Sequence, residues 1–170
     1  MTSAVSSAGP LIHLAQAGCL DLLMTLFEKV VIPPAVYHEA IEAGLEQGHP
    51  DAVILDQEMK HDRICVDSAV DMSKLQVSSD KLHKGELEAI ALALTRRPDA
   101  VLLDDEEARV LARALGLTVM GTLGVLVENV SRRKVTRDKA KTILDSLNDV
   151  MYLSSDVYAL ARKRVDEITD

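Results

Sequence analysis

Apolar positions along this chain fall into short continuous runs separated by longer amphipathic stretches, and the two kinds alternate. Thr2 to Ser7 is small and β-tolerant. Val30-Val31-Ile32, Ile64-Cys65-Val66, Ala100 to Leu103 and Leu117 to Met120 are compact apolar runs. Runs of this length, β-branched and bounded by Gly, Pro or acids, read as strands buried on both faces. Between them apolar residues return at helical spacing. Helices are expected after Gly9-Pro10 through Leu11, Leu14 and Ala15, over Leu20 to Phe27, and over Ala35 to Ala43 with Gly44 as C-cap. Others are expected over Ala52 to Met59, over Lys84 to Thr95 with Leu87, Ile90, Ala91 and Leu94 on one face, and over Asp105 to Leu115 closed by Gly116. The chain closes with helices over Leu123 to Ser131, Arg137 to Leu147 and Asp156 to Ile168.

Strands alternating with helices imply an α/β fold, a parallel sheet covered on two sides with right-handed crossovers. One domain is expected over 1–170, with a core at about 4–133 and a C-terminal helical tail at about 136–168. Ligands of such sheets sit beyond the carboxyl ends of the strands. Chemistry is therefore expected just after Val5, Ile32, Leu103 and Met120.

Composition narrows the function. The 170 residues are 48% hydrophobic, and 19 Lys plus Arg face 27 Asp plus Glu for a formal charge of −8. That mean field repels phosphate, so a general polyanion binder is excluded. Aromatics are 2% with no Trp and Phe27 the single Phe, which argues against aromatic stacking platforms. Cys19 and Cys65 have neither metal nor redox spacing and read as small buried hydrophobes suited to a reducing cytosol. The N-terminus lacks the features of a secretory signal, and no run is long enough to span a bilayer. A soluble, cytoplasmic protein with no membrane partner is expected.

The acidic excess has a focus. Asp104-Asp105-Glu106-Glu107 follow the strand at Ala100 to Leu103. One acid there would be an ordinary helix cap, but four in succession add mutual repulsion. Glu106 and Glu107 read as a solvated face, with Glu106 the nearer to the site. Glu86 opens a helix, Glu88 points to a different face, and Glu39 lies in an otherwise rather apolar helix just after a buried strand. Acids from three segments near one sheet edge suit a hard cation such as Mg²⁺ or Mn²⁺ and the hydrolysis of a phosphodiester.

The stretch from Val5 to Ile41, VSSAGPLIHLAQAGCLDLLMTLFEKVVIPPAVYHEAI, resembles the opening of a PIN-domain protein of the VapC-like kind. KGELEAIALAL and AVLLDDEEARVLARALGLTVMGTLGVL resemble later blocks of that family in order and spacing, so the resemblance covers roughly residues 4 to 130. It implies a three-layer fold with a mostly parallel five-stranded sheet and a Mg²⁺- or Mn²⁺-dependent endoribonuclease, often the toxin of a type II toxin–antitoxin pair. It also implies an RNA substrate, an antitoxin protein as partner, and a homodimer or higher oligomer. Carried over by position, the family's second acid falls on Glu39, the third on Glu86 and the fourth on Asp105, with Asp104 beside it. Thr122 matches a polar position lining the site. The first acid falls on Ser7, where a hydroxyl replaces a charged metal ligand. Three readings of Ser7 stand open: a substitution that silences a nuclease, a naturally degenerate member retained for protein or RNA binding, or a tolerated change.

Lys84 and Arg109 lie closest in sequence to these acids and are the candidates for phosphate contact. Arg96-Arg97 and Arg132-Arg133-Lys134, with Arg137, Lys139 and Lys141, read either as solvated helix ends or as an RNA groove. His13 is expected to be a packed histidine with a hydrogen-bond partner, and His38 to turn away from Glu39. A phosphoacceptor receiver domain shares the sheet and the acidic pair, but the Lys it needs after Met120 is replaced by Gly121-Thr122.

Overall fold

A computed structural model, describing residues 2–76 and 80–168, assembles these runs into one sheet. Strands β1 (Ser3–Ser6), β2 (Lys29–Ile32), β3 (Ile64–Val66), β4 (Ala100–Leu102) and β5 (Val119–Met120) take the order β3-β2-β1-β4-β5. Every pairing is parallel, so the mostly parallel sheet expected is all-parallel. Val5, on the central strand, is in register with Val31 on one side and Val101 on the other.

The helices in chain order begin with α1 (Ala8–Gln16) and α2 (Asp21–Leu26). Then α3 (Pro34–Tyr37) runs through a π-helical turn, His38–Glu42, into α4 (Ala43–Glu46), followed by α5 (Pro50–Lys60). After β3 come a 3₁₀ turn at Met72–Leu75, α6 (Lys84–Arg96), α7 (Glu106–Ala114), α8 (Thr122–Ser131), α9 (Arg137–Met151) and α10 (Ser155–Glu167). Side-chain alternation along the strands sorts these helices into two layers. Ala4, Val30, Ile32, Ala100 and Leu102 join one apolar cluster with α1, α2, α8, α9 and α10. Val5, Val101 and Leu103 join the other with α6 and α7. The result is a three-layer α/β sandwich.

Two local details differ from the sequence expectation. The helix at Ala35 does not stop at Gly44: a Cβ there would lie 2.6 Å from the Ala52 Cβ, so the glycine permits close crossing of α4 and α5. The stop comes at Gly48, whose φ of 73° is the left-handed conformation of a helix terminus. Gly9-Pro10 is not a turn before α1 but part of its first turn, where proline is tolerated.

The layer of α2 and α8 is pinned by one buried amide. Asn129, 0% exposed, donates through Nδ2 to the carbonyls of Leu22 at 3.0 Å and Val125 at 2.9 Å, and the Thr25 hydroxyl donates to its Oδ1. Burial, with the Asp21 charge adding, pushes the Cys19 thiol up to about 11, as for an inert buried thiol. No helix among the described residues is long and apolar enough to cross a membrane.

Candidate active site

Because every strand is parallel, all end at one edge. Ser7 follows β1, Pro33-Pro34 follow β2, Leu103-Asp104-Asp105 follow β4, and Gly121-Thr122 follow β5. The acids at this edge occupy two contrasting environments.

The first surrounds Asp104, whose side chain is 16% exposed. Its Oδ1 accepts the Thr122 backbone N–H at 2.7 Å, and its Oδ2 accepts the Thr122 hydroxyl at 2.7 Å. His13 Nδ1 lies 2.7 Å from the same Oδ2 and donates to it, since an ionised carboxylate only accepts. Burial alone would raise the carboxyl, but the bonds from His13 and Thr122 outweigh it and hold Asp104 below the usual carboxylate range. Glycines bring the backbone close: a Cβ on Gly9 would lie 3.5 Å from Asp104 Oδ2, and one on Gly121 would lie 3.3 Å from Oδ1. Ser7 is also buried here. Its N–H and hydroxyl both donate to the Leu102 carbonyl, at 3.0 and 3.2 Å.

The second environment is open and lacks such compensation. Glu86, in the first turn of α6, accepts the His83 N–H at 2.9 Å. Partial burial raises its carboxyl above the usual value, the Asp105 and Glu39 charges add to the rise, and the His83 N–H opposes it. Glu39 reaches the same neighbourhood from the π turn, a departure from α-helical winding that re-aims side chains. A Cβ on Gly85 would lie 3.0 Å from Glu39 Oε2, so glycine leaves room for that carboxylate beside Glu86. Asp105 caps α7, accepting the Ala108 N–H at 2.8 Å, and is exposed. Glu88 faces elsewhere, accepting the Ala35 N–H at 3.0 Å as a cap of α3.

Glu39, Glu86 and Asp105 therefore share one electrostatic neighbourhood, while Asp104 and Thr122 sit apart with His13. Among the described residues no three His, Cys, Asp or Glu side chains are arranged to hold a metal. The open trio fits a hard divalent cation in donor type and in charge, since the Glu39 and Asp105 carboxylates add to the rise of Glu86. Asp104 fits less well because both of its oxygens already accept strong bonds. The Ser7 hydroxyl is bonded to Leu102 and supplies no charge.

The candidate phosphate contacts differ from each other. Lys84 is 81% exposed, with its ammonium 3.6 Å from Glu88 Oε1. Arg109 turns back onto Glu106, donating through Nε at 3.1 Å, and its Nη1 lies 3.1 Å from where a Gly121 Cβ would be. The other basic clusters lie away from this edge. Arg96-Arg97 close α6, which starts at the site and runs about 20 Å, and Arg132-Arg133-Lys134 follow the far end of α8, about 15 Å from Thr122. Arg96 donates to Asp67 Oδ2 at 2.6 Å, and Arg132 to Glu128 Oε1 at 2.7 Å.

His13 is the residue whose importance the sequence understated. A hydrogen-bond partner was expected, but not that it is a site acid 91 positions later. The available signal was spacing: His13 stands one helical turn beyond Gly9, the glycine that approaches Asp104. His38 is exposed and bonded to Glu42, with Nδ1 2.6 Å from Oε2.

A family model described as a PIN domain matches residues 3–167 of the chain. No curated protein matches it.

Proposed function

The chain belongs to the PIN-domain family, whose members are generally nucleases that use divalent metal ions, and we propose that it is a Mg²⁺- or Mn²⁺-dependent endoribonuclease. The observation that carries this reading is that Glu39, Glu86 and Asp105, from three segments, share one electrostatic neighbourhood at the carboxyl edge of the sheet. These three would hold the cation, which when bound supplies charge neutralisation at the phosphate and an activated water. Asp104, held by Thr122 and His13, fixes the loop that presents Asp105 and the start of α8. Lys84 and Arg109 would meet backbone phosphates, and the mean charge of −8 makes binding depend on the cation. The order of the sequence blocks supports a toxin of a toxin–antitoxin pair, cytoplasmic and oligomeric, whose antitoxin covers the acidic edge.

The second reading, a degenerate member that binds RNA or protein without cutting, is favoured by Ser7, whose hydroxyl is tied to Leu102. One variant separates the two. Ser7 is the N-cap of α1, a position that favours Asp, so Ser7→Asp adds the charge without a new backbone conformation. Ser7→Asp is expected to raise Mn²⁺-dependent cleavage of RNA, and Glu39→Gln, Glu86→Gln or Asp105→Asn in that background to abolish it. If the Ser7→Asp variant neither binds Mn²⁺ by calorimetry nor cuts RNA, the nuclease reading fails.

A further inference from the structure

Beside the acidic edge, between α3 and the start of α6, lies a cavity of about 520 Å³. Pro34 and Ala35 line it from α3, His38 and Glu39 from the π turn, and His83 and Lys84 from the opening of α6. We propose that this cavity is a nucleobase site that takes one unpaired base of an RNA strand. The proposal rests on the ribonuclease reading and adds where the strand is gripped.

Several observations favour a base over an anion. The Ala35 N–H, which could have met a phosphate at the helix end, is already taken by Glu88 at 3.0 Å. Glu39 lies in the lining and Glu86 stands next to Gly85, and the lining cation Lys84 is drawn to Glu88 at 3.6 Å, so an anion inside the cavity meets carboxylates that a neutral heterocycle does not feel. The size lies within the range of small-ligand pockets. Two imidazoles from different elements reach the cavity, and His38 is held in orientation by Glu42 at 2.6 Å. Imidazole rings present a π-face on which bases stack. They are the flat rings that line this cavity. Because Glu39 belongs both to the lining and to the acidic trio, a base seated here leaves its own phosphate within one nucleotide of the carboxylates.

The test uses the full chain with Mg²⁺ present throughout. Adenosine, guanosine, cytidine and uridine 5′-monophosphates are titrated while the imidazole resonances of His38 and His83 are followed by NMR, with ribose 5-phosphate as the baseless control. At least one nucleotide is expected to shift both imidazoles while ribose 5-phosphate leaves them in place. His38→Ala with His83→Ala should weaken that binding by about tenfold or more, and Phe at both positions should restore it, since Phe keeps the ring and drops the charge. Equal responses to nucleotide and ribose phosphate, no response at millimolar nucleotide, or binding unchanged in the double-Ala chain each overturn the proposal. The outcome is separable from that of the nuclease reading. Cleavage by the Ser7→Asp variant with unchanged KM and sequence preference in the double-Ala background sinks the base site alone, and base binding without cleavage sinks the nuclease reading alone.

Discussion

Asp104 and Asp105 are neighbours in the chain and opposites in environment. Asp104 is nearly enclosed, accepts from His13 and from Thr122 twice, and is held in its ionised form. Asp105 is exposed, caps one helix, and adds to the repulsion that raises Glu86. The first acid has its hydrogen-bond donors built into the protein; the second keeps one oxygen on a helix N–H and the rest of its carboxylate open to solvent. An acidic run after a buried strand thus divides by burial: the member turned inward organises the loop, and the member turned outward caps a helix and faces solvent.

The strongest way to break this comparison is to remove each acid in turn. Asp104→Ala strands a histidine, a hydroxyl and a backbone N–H in a confined space and should cost about 3 kcal/mol in urea denaturation. Asp105→Asn keeps a good cap and should stay within about 0.5 kcal/mol of the parent while losing Mn²⁺ affinity. Equal losses of stability would erase the distinction.

The pH dependence of stability sharpens it, because the two shifts have opposite signs. Asp104 is lowered on folding, so its stabilisation is complete above its ordinary range and is lost as pH falls through its folded value. Glu86 is raised, so between its ordinary and folded values the native state holds more protons than the unfolded one, and stability falls as pH rises through that window. Stability–pH curves should therefore show a smaller acid-side drop in Asp104→Asn and lose the later decline in Glu86→Gln, and added Mn²⁺ should offset that decline in the chains that keep Glu86.

A smaller effect is expected at Gly85. Alanine is favoured over glycine in a helix, but its Cβ would press on Glu39 Oε2 at 3.0 Å. Gly85→Ala should leave stability within about 1 kcal/mol and weaken Mn²⁺ binding several-fold by calorimetry; unchanged affinity would place Glu39 outside the cation site. The smallest effect belongs to the distant cations. Replacing Arg132, Arg133 and Lys134 by Gln should leave the salt dependence of RNA binding nearly unchanged, whereas Lys84→Gln should reduce its slope by about one.

The strands were legible because their apolar runs are short and bounded, and the helices because their faces are regular. Asp104 and Asp105 were legible for the same reason, since they stand directly after β4, whereas Glu39 lies within a helical stretch and Glu86 in the first turn of α6. Gly44 was misread because a glycine that lets two helices touch and a glycine that ends one look alike in sequence, and only the neighbour, Ala52, tells them apart. The π turn left no mark, because its extra residue changes winding and not composition. The partition of Asp104 from Asp105, the identity of the His13 partner, and the remoteness of the Arg132 cluster are all facts of three-dimensional adjacency. They are set by contacts far apart in the chain, as His13 and Asp104 are, or by the length of a helix.

The central position of β1 has a consequence for the order of synthesis. This strand leaves the ribosome long before its partner β4, which begins at Ala100, and Asp104 finds its donors only when Thr122 has followed. The two bonds from Thr122 to Asp104 wait on the same event. The growing chain thus leaves the enclosed half of this edge unassembled through most of translation, and completes it only when the start of α8 is free.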